Sequence, residues 1–427
     1  MQKPVPICIA NNSVPAVVLV SSQHGGVGLI RSLGREGIRV YGIHQNSWEP
    51  AARSRYLRGG VFCWDFSSAS RADSLSFLLN VAKRVGTPSV LIATSDITAL
   101  FVAENAAILA EEYLIATPPV ECVRIFSSKK QTADLCQEMG IPTPETALPR
   151  SREDVLDFIQ KTKFPVVVKG EYGEFLERKN RRARVAIMTS KKDLFNIYDL
   201  NATTGVPRLI FQEYIPGGDD AIWMFNGYFD DRSQCLFGAT GRKLRQFPPH
   251  RGNTCLGICA RNDVVETQTK QLMRAVAYRG PLDVGYRFDV RDGRYKLLDV
   301  NPRIGATFRL FAGQNGLDVA RALYLDLTGQ TIPAVQVSEG RKWMVETNDI
   351  VSSWTHFRER QLTPSEWLRS LRDVQEGVWL DSDDLAPLVT LPFLWCRDCF
   401  RGRAGSSSGS SSSMDSATPR DTVSKIG

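Results

Sequence analysis

Between Val14 and about Pro119, runs of β-branched residues alternate with amphipathic stretches: Val17 to Val20, then Gly25 to Arg35, then Ile38 to Ile43. The alternation predicts a parallel sheet with helices on both faces, because two strands running the same way need a long crossover and a helix supplies it. Later rounds repeat the pattern. Asp73 to Val85 carries Leu75, Leu78, Leu79 and Ala82 at the spacing of one helix face. Ser89 to Ala93 then leads through Ser95 and Asp96 into a further helix, with Asp96 placed as an N-cap and a ligand role as its alternative.

From Ser128 the pattern changes. A helix is expected over Lys129 to Met139, closed by Gly140, followed by the turn Ile141-Pro142-Thr143-Pro144 and a helix from Ser151. Strands are expected at Val166 to Lys169, Arg184 to Met188, Leu209 to Glu213, Ala221 to Tyr228, Gln234 to Thr240 and Cys255 to Cys259, with one helix from Ser190 to Leu200 between them. This part reads as antiparallel α+β. A helix over Val264 to Tyr278 precedes strands Leu282 to Val290 and Arg294 to Val300, joined through Arg291-Asp292-Gly293, a strong hairpin signal.

At roughly 150 residues per domain, 427 residues allow about three units. The expected boundaries are 1–127 for the parallel α/β unit, 128–332 for the α+β unit (a smaller part over 150–215 and a larger one over 216–332), 333–400 for a tryptophan-rich extension and 401–427 for a disordered serine-rich tail. A hydrophobic fraction of 43% with 23% charged residues excludes wholesale disorder and collagen. No apolar run reaches the roughly 18 to 20 residues that cross a bilayer. Nine irregularly spaced cysteines suit a reducing compartment, so a soluble cytoplasmic protein is expected. The net charge of +7 is too small and dispersed for a nucleic-acid footprint and suits small anionic ligands.

Two groups of residues are candidates for chemistry. His24-Gly25-Gly26-Val27-Gly28 sits where a strand meets a helix, but lacks the full dinucleotide fingerprint and an acidic residue after the next strand, so a tight turn is the favoured reading. The second group is spread along the chain: Lys129 opening a helix, Phe164-Pro-Val-Val-Val-Lys169, Gln212-Glu-Tyr-Ile-Pro-Gly-Gly-Asp-Asp220 and Leu297-Leu-Asp-Val-Asn-Pro-Arg303. In this order and at these spacings the set resembles the ATP-grasp superfamily, within it the carboxylate-amine ligases, a group that includes D-aspartate ligase and relatives of carbamoyl-phosphate synthetase. The likeness covers about residues 15 to 330 and implies an ATP-grasp fold behind an N-terminal parallel α/β domain.

The resemblance implies that Lys129 and Lys169 bind the phosphates of ATP, where a mobile point charge suits an oxyanion. It also implies that Gln212 or Glu213 and the backbone at Ile215 read adenine. The ribose acid is Asp219 counting from Gln212 and Asp220 counting from Glu213; both stay candidates. Mg²⁺ needs oxygen ligands in an octahedral array, and Asp299 with Asn301 supply two. If Arg291-Asp292-Gly293 is a three-residue loop with Gly293 left-handed, Asp299 faces Gly285 and Asn301 faces Asp283. The position expected to carry the other carboxylate is then a glycine. Asp283 is the preferred third ligand; Asp289 lies about 13 Å further along the strand, and fewer protein ligands are the remaining alternative.

Around this set, Gly170-Glu-Tyr-Gly173 is followed by a basic run with Arg178, Lys179, Arg181, Arg182 and Arg184, which either closes over an anion or is a solvated loop. Lys243 and Arg245 alternate onto one face of an extended segment and are read as a joint anion site. Arg303 is the candidate for stabilising the acyl-phosphate transition state. Cys396-x-x-Cys399 has no second pair, His24, His44, His250 and His356 show no metal spacing, and Trp343, Trp354, Trp367 and Trp379 read as packing residues.

The function implied by resemblance is an ATP- and Mg²⁺-dependent ligase joining a small-molecule carboxylate to an amine through an acyl phosphate. Its rivals are a non-catalytic ATP-binding regulatory module of the same fold, signalled by Gly285, and an oxidoreductase using the Gly25–Gly28 turn. Neither the substrate pair nor the oligomeric state is readable from the residues.

Overall fold

The computed structural model describes residues 9–20, 23–171, 175–178, 181–183, 185–203, 209–250 and 252–392. Strands β1 (Ala16–Leu19), β2 (Val40–His44), β3 (Gly60–Cys63), β4 (Ser89–Ala93) and β5 (Tyr113–Leu114) form a parallel sheet in the order β3-β2-β1-β4-β5. Alternation along β1 explains its two coats: Ala16, Val18 and Val20 join a core with the helix Gln23–Gly34, while Val17 and Leu19 join another with the helix Arg71–Val85.

The helix Asp96–Glu104 is capped by Ser95, not Asp96. The Ser95 side chain accepts from the Thr98 backbone N–H in a reciprocal capping box, which leaves the Asp96 carboxylate available elsewhere. The glycine-rich segment His24 to Gly28 is not a turn before the helix but the first part of the helix Gln23–Gly34, where its glycines allow close packing. A Cβ on Gly26 would meet Val20 at 2.6 Å and one on Gly28 would meet Arg309 at 2.9 Å, so these glycines let the helix lie close to β1 and to the segment Phe308–Leu310.

A second, antiparallel sheet contains β6 (Thr146–Ala147), β7 (Val166–Gly170), β10 (Val185–Met188) and β11 (Leu209–Glu213), in the order β10-β7-β11-β6. β8 (Phe175–Arg178) and β9 (Arg181–Ala183) pair separately. Lys179 and Arg184 of the basic run lie outside the described residues, as do the side chains of Arg178, Arg181 and Arg182.

The third sheet is built from β12 (Ile222–Phe229), β13 (Cys235–Phe247), β14 (Asn253–Cys259), β15 (Gly280–Asp289), β16 (Arg294–Asn301), β17 (Lys342–Met344) and β18 (Val374–Gly377), in the order β16-β15-β12-β13-β14-β17-β18. Only the β17–β18 pair is parallel. The tryptophan-rich segment thus extends this sheet. Phe225, Phe229, Val284 and Tyr286 pack with Leu272 and Met273 of the helix Asp263–Ala275 on one face. Met224, Tyr228 and Ala239 on the other join a core shared with the helix Gln23–Gly34, which ties the first and third sheets together. Trp343 and Trp379 are buried, whereas Trp354 is 63% exposed and does not pack as expected.

The β15–β16 hairpin has a four-residue turn, Val290 to Gly293, since Asp289 pairs with Arg294; Gly293 is left-handed at φ 70°. A bulge at Leu298 then moves the ladder by one, restoring the register that a three-residue loop would have set: Gly285 opposite Asp299 and Asp283 opposite Asn301. The bulge also lets Leu297 face the core while Asp299 faces the opposite side.

Candidate functional site

Three strands bring polar side chains to one place. Asn226 on β12 faces Asp283 on β15, which faces Asn301 on β16. Asn301 Nδ2 donates to Asp299 Oδ2 at 3.1 Å and to the Asp283 carbonyl at 3.2 Å, and lies 3.5 Å from Asp283 Oδ2. Burial pushes the Asp283 carboxyl up to about 6; nearby Arg303 opposes this and the like charge of Asp299 adds to it. Gly285 makes the arrangement possible, because a Cβ there would meet Asp299 Oδ1 at 2.3 Å.

Arg303, just past β16, spans the cluster's edge. Its Nη1 is 3.7 Å from Asp283 Oδ2, its Nη2 donates to Asn301 Oδ1 at 3.2 Å, and its Nε donates to Asp96 Oδ1 at 2.9 Å. Lys243 on β13 donates to the Gly252 carbonyl at 2.9 Å. Burial pulls its ammonium pKa down, against attraction from Asp299, Asp219 and Asp283, so all three acids are its neighbours in charge.

The second sheet contributes cations. Lys169 on β7 donates to Gln212 Oε1 at 2.7 Å, and Gln212 Nε2 donates to Thr146 Oγ1 at 3.2 Å, which fixes the glutamine beneath the lysine. Burial, reinforced by the like charge of Lys129, brings Lys169 down to about 8 despite Asp299. Lys129 is the first residue of the helix Lys129–Glu138, capped by Ser128. Two close lysines with incomplete compensation make a site that favours anions.

Between β11 and β12 the chain carries the remaining candidates. Ile215 is buried; Asp219 accepts from Gln246 Nε2 at 2.7 Å through Oδ1, and its Oδ2 is buried without a partner. Asp220 is exposed. Glu213 accepts from Arg291 at 2.5 Å and from Lys296 at 3.3 Å, so its carboxylate holds β11 against the hairpin rather than facing the cluster. Asp289 belongs to the same ion-pair group, where Arg291 and Lys296 hold its carboxyl well below the usual range. That engagement separates Asp289 from the Asp283 cluster.

Arg245 departs most from expectation. The β13–β14 ladder skips Leu244 on one strand and Cys255 on the other, so simple alternation fails between Lys243 and Arg245. Arg245 is buried and grips Asp349 with two nitrogens, at 2.7 and 3.1 Å, and Ser370 Oγ at 2.8 Å. It shares no joint anion site with Lys243.

Sequence reading overlooked Asn226. It is fully buried beside Asp283, and its side chain, as a hydrogen-bonding neighbour, lowers that carboxyl's pKa. The signal was a lone amide in the apolar run Ile222-Trp-Met-Phe-Asn-Gly-Tyr-Phe229. Two carboxylates, one costly to ionise, beside a glycine cradle supply oxygen donors that fit Mg²⁺; Asn301 turns its Nδ2 toward them and its Oδ1 toward Arg303, so its oxygen joins the set only once the amide rotates.

No family model matches the chain. It is 24% identical over 300 residues to the D-aspartate ligase of Enterococcus faecium, covering 66% of this chain and 70% of that one. Against the carbamoyl phosphate synthase large chain of Archaeoglobus fulgidus it is 22% identical over 230 residues, 52% of this chain but 20% of that relative's length. Among solved structures, N5-carboxyaminoimidazole synthetase of Staphylococcus aureus with ADP superposes at a TM-score of 0.60 and 14% identity, covering 83% of this chain and 88% of the other. Biotin carboxylase of Campylobacter jejuni gives 0.58 at 13%, covering 76% and 74%. L-amino acid ligase of Bacillus licheniformis gives 0.57 at 14%, covering 78% and 79%.

Proposed function

We propose that this chain, whose fold is that of the ATP-grasp carboxylate-amine ligases, is an ATP-dependent ligase that joins a carboxylate to an amine with release of ADP and phosphate. The observation that carries this reading is Lys169: held by Gln212 at 2.7 Å, its buried ammonium lies within electrostatic reach of both a second lysine, Lys129, and Asp299. Phosphate-binding cations and a cation-binding carboxylate therefore converge, as transfer of a phosphoryl group requires.

In this reading Lys129 and Lys169 hold the phosphates, with Gln212 orienting Lys169. The backbone at Ile215 meets adenine, and Asp219, with its unpaired Oδ2, takes the ribose in preference to exposed Asp220. Asp283, Asp299 and Asn301 hold Mg²⁺, which when bound neutralises phosphate oxygens. Arg303 and Lys243 hold the substrate carboxylate and the phosphoryl group during transfer, supplying preorganised positive charge where negative charge accumulates. The carboxylate oxygen attacks the γ-phosphorus and the bond to ADP breaks; the amine then attacks the acyl carbon and phosphate leaves. Arg245 is reassigned from substrate contact to holding the helix Glu346–Arg358 through Asp349. The six described cysteines are free, which accords with a cytoplasmic location.

The test is substrate-stimulated release of ADP and phosphate across a panel of amino acids and small carboxylates. D-aspartate heads the panel because one relative is a D-aspartate ligase. Stimulation that disappears in Lys169→Ala is the expected result; nucleotide binding with no stimulation by any pair would favour the regulatory-module reading.

A further inference from the structure

Two histidines that no sequence spacing connects meet in the fold. His250 lies in the turn between β13 and β14, His356 is in the helix Glu346–Arg358, and Glu359 caps that helix's C-terminus. One donor atom from each lies within 4.8 Å of one from each of the others. His250 Nε2 and Glu359 Oε2 are 2.8 Å apart, and the two imidazole rings stand 5.1 Å apart at 79°.

The hydrogen bonds single out the available atoms. His356 Nδ1 is 2.9 Å from Gln361 Oε1; an amide oxygen only accepts, so Nδ1 donates, and in the neutral ring the lone pair is then on Nε2. That Nε2 is buried with no hydrogen-bond partner, in a residue only 8% exposed. An outer hydrogen bond that fixes the tautomer and leaves the inner nitrogen bare is the arrangement found behind metal-bound histidines. His250, with φ 66°, sits in backbone space uncommon outside glycine, so the turn presents this ring at a conformational cost.

We propose that His250, His356 and Glu359 bind a divalent transition-metal ion of the zinc class, with water completing a tetrahedral shell. Two imidazoles and one carboxylate suit zinc and its neighbours rather than Mg²⁺, which distinguishes this site from the all-oxygen set around Asp283. Bonds of about 2.0–2.2 Å place ligand atoms roughly 3.3 Å apart, which the exposed His250 and Glu359 reach by side-chain rotation. The ion clamps the β13–β14 turn to the helix Glu346–Arg358. Because the same turn contains Gly252, whose carbonyl receives Lys243, the clamp also steadies that lysine.

The experiment is calorimetric titration of the metal-free full chain with Zn²⁺ alone, repeated for His250→Asn, which tolerates left-handed backbone, for Glu359→Gln and for the pair Cys396→Ser with Cys399→Ser. One equivalent should bind the wild type, weaken at least tenfold in His250→Asn and in Glu359→Gln, and persist in the cysteine pair. Thermal unfolding provides a second reading: Zn²⁺ should raise the wild-type midpoint and leave both ligand variants, equally stable without metal, unmoved. No binding to the wild type, binding that survives both ligand variants, or binding lost only with the cysteines would overturn the proposal.

Discussion

Gly285 stands opposite Asp299 in the β15–β16 ladder, so close that a Cβ would lie 2.3 Å from Asp299 Oδ1. The glycine is thus the space that the Asp299 carboxylate occupies, and its presence does not by itself mark a lost ligand. Gly285→Ala should displace a side-chain end rather than backbone. Denaturant unfolding should therefore shift by no more than about 1 kcal/mol, while Mg²⁺-dependent turnover falls at least tenfold. Unchanged turnover in the alanine variant would remove Asp299 from the proposed metal site.

Lys169 sits at about 8 where the free amine has 10.5. Between those values the unfolded chain binds a proton that the native chain lacks, so stability rises with pH through that window and the penalty is fully present below pH 8. Bound phosphate restores the charge. Nucleotide binding near pH 8.5 should take up a proton, read from the dependence of binding enthalpy on buffer ionisation enthalpy, and Lys169→Arg should abolish the uptake because guanidinium stays charged.

Asp283 is displaced the other way, from 3.8 to about 6. The native chain holds its proton between those values while the unfolded chain does not, so stability falls as pH rises through the window and the penalty is complete above pH 6. Asp283→Asn should raise the thermal midpoint at pH 7.5 without ligand. The same variant should lose the further rise that Mg²⁺ with nucleotide gives the wild type.

Arg245→Ala leaves the Asp349 carboxylate buried with Trp367 Nε1, at 3.0 Å, as its remaining strong donor. Breaking a buried pair by removing one partner costs roughly 3–5 kcal/mol. A lower urea midpoint is expected, with KM for ATP unchanged in the folded fraction. A raised KM at full stability would return Arg245 to the substrate site.

Arg303 links the acid cluster to the start of the helix Asp96–Glu104 through Asp96, at 2.9 Å. Arg303→Met should lower kcat by roughly a hundredfold, the scale of losing one preorganised donor, while nucleotide affinity measured by calorimetry changes little. A large loss of affinity would make it a nucleotide-binding residue.

What the chain determined locally was read correctly where burial period and turn chemistry decide. The strands Ser89–Ala93 and Leu209–Glu213 agree residue for residue, because a short apolar run between polar breaks has one way to be buried. Lys169, Gln212, Asp299 and Asn301 lie on the strands expected from the apolar runs, although the facing of Asp299 and Asn301 is set by the bulge in β16 and not by simple alternation. Even there the agreement hid a cancellation, since a four-residue turn and a bulge at Leu298 together produce the register expected of a three-residue loop. Partners far along the chain were decided only by the path of the backbone. The skipped Leu244 turned Arg245 toward Asp349, 104 residues away, and Glu213 found its cations across the hairpin at Arg291 and Lys296. His250 meets His356 only after β13, β14 and the helix Glu346–Arg358 have packed, because convergence of distant side chains is a property of three-dimensional packing that no spacing along the sequence encodes.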